Sequence, residues 1–493
     1  MKSLFQKFDI YLFITVIILL IFFIFPTNNH LSDSYDYAAS VRYGIKLFSA
    51  HHLLYNSSNY LIKEFLSLFV KSIDVLRLMQ YVNAFFAIFC AFLLRTILIN
   101  YLKNSRAANI WTIFSICSFG FMRFSTEAET FIIPIFISLV STYFFQKYLK
   151  ENKNKYAFYT GVFASIACLF HQIHLFWGIG LFVGFLLNGK LKSVLYFLAF
   201  TPSVILIYAL VLVKYNNVEL SYYNLISFIA NYYYSENAET NVTINNLIVT
   251  LITFVRTFFQ VHGSILVILE KYKVAILAIP FVLYLISVAF YNIFKSTTII
   301  KDKTNDTFAK THLIIFFLQL SFAFFSYGNS EFMVMLPFLL ALFLSSFFEI
   351  NLKGIQYFTL GMFIWNMSFG LIPNHYVDYL NNKSMINLIK EESNAYFIIK
   401  ENYLISNYYY YEFGIESYDK ILPINYDLKK KFANKGSTFY TDLLTKKTPM
   451  GRLEFTTKFD ISKFEFIRHR KWINNTMGGF YIDEVKIKDL NIK

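Results

Sequence analysis

The sequence predicts a polytopic α-helical membrane protein with about 11 transmembrane helices and a small C-terminal α/β domain. Two features of composition indicate the membrane part, because 56% of the residues are hydrophobic and only 15% are charged, outside the usual range of soluble globular proteins. A third feature indicates the soluble part. Apolar density falls after Pro373, and the residues that follow are numerous enough for a small domain.

The first apolar run extends from Ile10 to Phe25 and follows a short basic N-terminus. The run ends in the sequence FPTN, whereas a signal peptide would have a shorter apolar core followed by small residues at its cleavage site. We therefore expect this run to be kept as an uncleaved first span.

Eleven runs are apolar enough for helices that cross a bilayer, which takes about 20 residues each. Some runs are short, and the region 157–188 can be divided in more than one way. The predicted spans cover residues 9–26, 75–97, 107–123, 130–147, 157–173, 175–188, 193–213, 273–294, 311–327, 331–349 and 354–372.

The stretch 245–269 is ambiguous, because it is apolar enough to cross but carries Arg256, Gln260 and His262 near its middle. If it only enters the interface, the lysine-rich loop 295–310 faces the cytoplasm, as the positive-inside rule requires. This choice predicts an inner (plasma) membrane protein with a cytoplasmic N-terminus and an extracytoplasmic C-terminus. Every polar cluster considered below then faces the outer side.

A polar stretch, LSDSYDYAASVRYGIKLFSAHHLLY, lies in the first outer loop (27–74) and keeps a helical apolar rhythm. We interpret it as a short helix on the membrane surface. Its two acids, Asp33 and Asp36, are three residues apart and so share one helix face. Acids are also common at helix N-termini. Because Arg42, Gly44, His51 and His52 follow, and titratable groups cluster at functional sites, we favour a functional site over a helix cap here.

Further polar residues fall in other outer turns or at the interface. Each has a structural interpretation, since acids cap helices, histidines form hydrogen bonds, and arginines extend to lipid headgroups. Because they share the outer face, substrate binding is the alternative interpretation for each of them. With the two loop histidines, the candidate binding residues are His51, His52, Arg123, Glu127, His171, His174, Arg256 and Glu331.

Several functions are disfavoured by the residue pattern. The net charge of +14 comes from basic residues scattered over short loops and a mixed-charge tail, with no basic stripe for a nucleic acid. The three cysteines lie inside predicted spans and imply neither a disulfide nor a zinc site. Apart from the stretch 245–269, the interiors of the apolar segments contain almost no Asp, Glu, Lys or Arg. Ion-coupled transporters usually place such residues near the membrane midplane, so this function is disfavoured.

The C-terminal part, 373–493, alternates predicted strands and helices, which is typical of a compact α/β unit. No glycine-rich phosphate loop is present. The predicted elements are the strands AYFIIKEN, KILPIN and STFYTDLL, the helix YLISNYYYYEFG closed by Gly414, and the helix DLKKKFANKG closed by Gly436. Residues 1–372 are assigned to the membrane domain.

The layout resembles the membrane-embedded glycosyltransferases of the GT-C superfamily, especially bacterial relatives of protein O-mannosyltransferases and aminoarabinose transferases. The matching features are the acidic motif LSDSYDYA in the first outer loop, Gly44, the turn at Glu127 and the outer C-terminal domain. Many members have Asp-Glu in that loop, whereas Ser34 follows Asp33 here. The family's Pro-Pro is replaced by the region of His51.

The resemblance implies transfer of a sugar from a polyprenyl-phosphate donor to a lipid or glycan acceptor, in contact with membrane lipids and without nucleic acid. By motif position, Asp33 best matches the family's catalytic aspartate, and Asp36 is the second candidate. Some relatives use a divalent metal, but the sequence offers no clear ligand set, so no cofactor is assigned. The alternatives are a flippase for polysaccharide or lipid-linked oligosaccharide and an O-antigen-type polymerase or ligase.

Overall fold

A computed structural model describes residues 9–230, 242–261, 264–299, 306–377, 382–416, 418–422, 438–442, 464–474 and 478–487. The chain forms two compact units, which are described separately. The first unit comprises Met1–Pro26, Lys46–Val261 and Ile276–Leu371, and the second comprises Thr27–Ile45, His262–Ala275 and Ile372–Lys493. The start of the first outer loop therefore belongs to the same unit as the C-terminal residues.

Helices make up most of the described chain. Their bounds are α1 Ile10–Ile24, α2 Ser32–Tyr43, α3 Tyr55–Ser67, α4 Val75–Leu102, α5 Ser105–Ile116, α6 Phe119–Ser125, α7 Ile132–Glu151, α8 Asn154–Phe170, α9 Leu175–Leu187, α10 Leu191–Leu198, α11 Pro202–Lys214, α12 Tyr222–Ile229, α13 Ile244–Phe258, α14 Ser264–Lys271, α15 Ala278–Ser296, α16 Thr307–Phe325, α17 Leu336–Phe347, α18 Leu352–Asn366, α19 Ile372–Tyr376, α20 Asn382–Glu391 and α21 Asn402–Phe413. Short 3₁₀ turns occur at Ala50–His52, Gln172–His174, Lys273–Leu277 and Ser330–Met333, and a π turn at Met367–Leu371.

Seven helical segments of the described residues are long and apolar enough to cross a membrane, and shorter apolar helices lie at Ile10–Ile24, Gln172–Leu187 and Ile244–Phe258. The prediction of a multi-pass helical membrane protein is confirmed at this level. The long segments are Val75–Leu102, Ile132–Glu151, Leu191–Lys214, Lys273–Ser296, Thr307–Phe325, Ser330–Phe347 and Leu352–Tyr376.

Several helices expected from the sequence differ from the observed elements, among them the predicted span 193–213, where α10 ends at Leu198 and α11 begins at Pro202. The predicted span 107–123 is divided, since α5 ends at Ile116 and α6 begins at Phe119. The surface helix proposed within 31–55 covers only its first half. It ends at Tyr43, because Gly44 adopts a left-handed conformation with φ of 69°.

Polar contacts at one end of the first unit set the direction of its helices. The carboxylate of Asp9 caps the start of α1 and accepts a hydrogen bond of 2.6 Å from Asn109, at the start of α5. Arg95, near the end of α4, also bonds to Asn109, at 2.6 Å. Tyr101, also near the end of α4, donates to Asp306, which caps α16. Helix α4 therefore runs antiparallel to α1, α5 and α16.

The second unit contains a five-stranded sheet in the order β4-β3-β5-β7-β6. Strand β3 is parallel to β4 and β5, whereas β7 is antiparallel to β5 and β6. The predicted strands correspond to β3, β4 and β5, and α21 ends before Gly414 as predicted, whereas the predicted helix DLKKKFANKG lies outside the described residues. The strands are β3 Tyr396–Ile398, β4 Ile421–Leu422, β5 Phe439–Thr441, β6 Phe464–Asn474 and β7 Gly478–Ile487, while β1 Thr298–Ile299 and β2 Phe348–Glu349 pair in the first unit.

Close helix packing in the first unit depends on small residues. Gly161 of α8 lies against α10, and a Cβ atom there would overlap the backbone carbonyl of Phe197. Gly178 of α9 has room, since a Cβ atom there would lie 3.8 Å from the methyl group of Ala164, an ordinary contact distance. Small residues of this kind let membrane helices approach closely.

We expect the variant Gly161→Ala to lower the thermal unfolding midpoint in detergent, at a cost of about 1–3 kcal/mol for overpacking. The matched variant Gly178→Ala should unfold at the wild-type temperature or slightly above it, because alanine is the better helix former. Equal midpoints for the two variants would contradict the close contact of α8 with α10.

Candidate active site

A buried ion pair marks the turn that follows α6. The guanidinium of Arg123 lies 2.6 Å from the carboxylate of Glu127, four residues later. The Glu127 side chain is fully buried and that of Arg123 is 12% exposed. Because the two charges are largely removed from water, each depends on the other for its stabilisation.

Side-chain amides of α4 hold this turn in place. Asn83 donates through Nδ2 to the backbone carbonyls of Glu127 and Glu129, at 2.7 and 2.6 Å. Gln80 donates to the carbonyl of Thr126 at 3.0 Å. Gln80 and Asn83 are three residues apart and so project from one face of α4. Since turn carbonyls in an apolar interior need a donor, these amides fix the backbone that carries Glu127.

We expect Arg123→Met and Glu127→Gln each to destabilise the protein by about 3–5 kcal/mol, because each leaves its partner buried without the opposite charge. The double variant should unfold at a higher temperature than either single variant. Thermal unfolding of the three variants in the same detergent measures this. Additive losses in the double variant would contradict a coupled pair.

A hydrogen-bond chain fixes the imidazole of His51. Gln172 donates through Nε2 to the hydroxyl of Tyr208 at 3.1 Å and to the carbonyl of Ile229 at 2.9 Å, so its Oε1 must act as an acceptor. The Nδ1 atom of His51 lies 3.1 Å from that Oε1 and therefore carries the proton. Neutral His51 then has its lone pair on Nε2, the arrangement needed to accept a hydrogen bond or a proton.

The other candidate histidines lie near His51. His171, in the turn between α8 and α9, interacts electrostatically with His51, His52 and His174. Its ring also packs at 5.0 Å between centroids on Phe131, which precedes α7 and follows the Glu127 turn. The histidine group consists of His51, His52, His171 and His174. The contact with Phe131 places it beside the segment that follows the Arg123–Glu127 ion pair.

Burial keeps the two loop histidines neutral. Desolvation lowers the pKa of His51 to about 4 and that of His52 to about 3. Within the described residues, no three His, Cys, Asp or Glu side chains are arranged to hold a metal ion. The two loop histidines therefore offer neutral hydrogen-bonding atoms.

Acidification should destabilise the protein through His52. Its pKa is depressed in the folded state, so unfolded chains bind the proton first and stability falls as pH drops below about 6.5. We expect the unfolding midpoint of His52→Asn to fall less than that of wild type between about pH 7.5 and about pH 5. The same fall in both proteins would contradict this role of His52.

Arg256 and Glu331 lie on neighbouring elements of the first unit. Arg256 is half-buried near the end of α13, which packs against α6. Glu331 is half-buried in the turn Ser330–Met333, where its N–H donates to Asn329. The adjoining Phe332 contacts the ring of His171 at 6.4 Å between centroids. This turn is therefore a neighbour of the histidine group.

The two candidate carboxylates, Asp33 and Asp36, belong to the second unit, on the first turns of α2. Asp33 is solvent-exposed and Asp36 is half-buried. Surrounding protein nevertheless restricts the hydration of Asp33, and this desolvation raises the pKa of its carboxyl. A water-accessible carboxylate with a raised pKa suits a group that accepts a proton.

Sequence reasoning missed the uncharged residues that organise these clusters. They are Gln80, Asn83, Gln172 and Tyr208 in the first unit and Asn407 in the second. A signal was present in α4, because carboxamides inside an apolar span rarely lack a polar partner. The partners themselves are not readable from sequence, because they lie 44 or more residues away along the chain.

No family model and no curated protein matches the sequence. Among solved structures, the chain is similar to ArnT from Cupriavidus metallidurans bound to undecaprenyl phosphate, with a TM-score of 0.54 and 8% identity over 96% of this chain and 97% of that chain. The apo state of that protein gives a TM-score of 0.44 at the same identity and coverage. The first likeness shows the fold alone, so the chain has a fold similar to that of ArnT.

Proposed function

We propose that this chain is an integral-membrane glycosyltransferase that moves a sugar from a polyprenyl-phosphate donor to an acceptor outside the cytoplasm. The observation that carries the proposal is the fold shared over nearly all of both chains with ArnT, whose structure contains undecaprenyl phosphate. The accessible carboxylate of Asp33 supports it, because glycosyl transfer to a hydroxyl needs a proton acceptor.

The reaction follows from the roles of these groups. The acceptor oxygen forms a bond to the anomeric carbon while the bond from that carbon to the phosphate oxygen breaks, and the electron pair leaves with the lipid phosphate. The acceptor proton passes to Asp33, or to Asp36 as the second candidate. Attack opposite the leaving group in one displacement inverts the anomeric centre.

The candidate binding residues of the first unit have proposed roles in the same reaction. Charge develops on the leaving phosphate, and a positioned guanidinium stabilises such charge. We assign this role to Arg256 and Arg123, the second being oriented by Glu127. The histidine group and Glu331 would bind hydroxyl groups of the sugar or the acceptor, since neutral imidazoles both donate and accept hydrogen bonds.

The proposed membrane layout has eleven spans, with the N-terminus in the cytoplasm and the C-terminus outside. In this layout α13 enters the membrane without crossing it, because the lysine-rich loop 295–310 then faces the cytoplasm. The domains are then 1–372 in the membrane and 373–493 outside, and the product belongs to a cell-envelope glycan or glycolipid.

We expect Asp33→Asn or Asp36→Asn to reduce transfer of labelled sugar from a polyprenyl-phosphate donor pool in membranes by about 100-fold or more, the usual contribution of a general base. Glu64→Gln is the matched control, because Glu64 is exposed on α3 and pairs only at the surface with Lys63. Expression and topology are checked in parallel. Wild-type transfer by both aspartate variants would exclude the first-loop carboxylates as the base.

A further inference from the structure

The acidic helix α2 is anchored to a helix of the C-terminal domain. Within the second unit, α2 packs along α21, which follows strand β3. Aromatic rings fill the contact, since Tyr35 lies 4.7 Å from Tyr408 and 6.1 Å from Tyr411 between ring centroids. Tyr35 is only 6% exposed, so the face of α2 that carries it is buried against α21.

The start of α2 is held by Asn407 of α21. No side chain caps α2 at Leu31. The Nδ2 group of Asn407 instead donates to the backbone carbonyl and to the hydroxyl of Ser32, each at 3.1 Å. In an α-helix the carbonyl of residue 32 also receives the N–H of residue 36. Asn407 therefore binds the same turn that carries Asp33 and Asp36.

The end of α2 is held by the last turn of α21. Arg42 and Tyr43 both donate to the backbone carbonyl of Tyr411, at 3.0 and 3.1 Å. This carbonyl lies in the last turn of α21, where backbone acceptors lack helical partners and a cation is favoured. Gly414 permits the approach, because a Cβ there would lie 3.2 Å from the ring of Tyr43. Helix α2 is thus fixed at both ends.

This anchoring determines where the acids project. At 100° per residue, Ser32, Tyr35 and Tyr43 define the face that contacts α21. Asp33 then lies roughly 110° around the helix from the centre of that face, and Asp36 roughly 50°. If α2 packed on α21 with its register shifted by one residue, both carboxylates would turn by about 100° around the helix axis.

We propose that Asn407 is a positioning residue, which fixes the rotation of α2 and so the direction of Asp33 and Asp36. The inference rests on the proposed transferase function for its consequence in catalysis. It assigns to the C-terminal residues of the second unit a defined part in the reaction, namely to hold the proposed base in one orientation.

The test uses the full-length protein and the variants Asn407→Leu, Ser32→Ala, the double variant and Tyr403→Ala. Leucine matches asparagine in size but donates no hydrogen bond. Tyr403 is 73% exposed on the same helix and serves as the control. Transfer kinetics give kcat and the donor KM, and hydrogen exchange reports the opening of α2 at residues 33–36.

We expect Asn407→Leu to lower kcat at least about tenfold, because small misplacements of a reacting group are costly, with the donor KM within about twofold of wild type. Exchange at residues 33–36 should accelerate, and Ser32→Ala should have a smaller effect. The double variant should match Asn407→Leu, because the hydroxyl acts through Asn407. Tyr403→Ala should behave as wild type.

Unchanged exchange at residues 33–36 in Asn407→Leu would overturn the inference, as would faster exchange with a wild-type kcat. Should Asn407→Leu fail to fold, Ser32→Ala carries the same comparison at lower amplitude. Absence of transfer by the wild-type protein would count against the proposed function. In that case the exchange data still decide whether Asn407 positions the acidic turn.

Discussion

Pairing of backbone groups at helix breaks is the constraint on which this structure depends. In an apolar interior such groups cannot bond to water, and carboxamide side chains pair them at several breaks. Asn366 donates to the carbonyls of Cys117 and Phe258 at 3.0 and 2.7 Å and accepts from the N–H of Gln260 at 2.9 Å. One side chain thus joins the break after α5 to the end of α13.

Hydrogen bonds from carboxamide side chains also hold the polar clusters to which we assign functional roles. Asn83 fixes the turn of Glu127, Gln172 fixes His51, and Asn407 fixes the first turn of α2. In each case an amide from one element binds the backbone or ring of another. A carboxamide can donate and accept together without carrying a charge into the apolar interior. The ion pair of Arg123 and Glu127 lies in a turn whose backbone carbonyls are paired in this way.

Hydropathy and turn chemistry revealed part of this architecture. The long apolar runs predicted the multi-pass helical part, and Gly414 correctly predicted the end of α21, since only a residue that tolerates a positive φ closes a helix in this way. The break between α5 and α6 was missed, because it lies inside an apolar run and leaves the mean hydropathy unchanged. The apolar rhythm of 31–55 continues past Gly44, so it predicts a helix over the whole stretch. The observed helix α2 ends at Tyr43, because Gly44 terminates it.

The candidate site was less accessible from sequence than the fold. The sequence identifies the turns of Glu127 and His171 as polar clusters, and the structure brings them together through Phe131. Their amide partners were not found, since a pairing between Asn83 and Glu129 depends on helix packing over 46 residues. The packing of α2 on α21, over more than 360 residues, has no local signal at all.

The most direct test follows both products of the reaction. Purified protein in proteoliposomes would receive a polyprenyl-phosphate donor labelled in its sugar, together with an envelope fraction as acceptor. The account predicts that label leaves the lipid while an equal amount of unsubstituted polyprenyl phosphate appears. Label that stays on the polyprenyl carrier and only changes leaflet would contradict the transferase and identify a flippase.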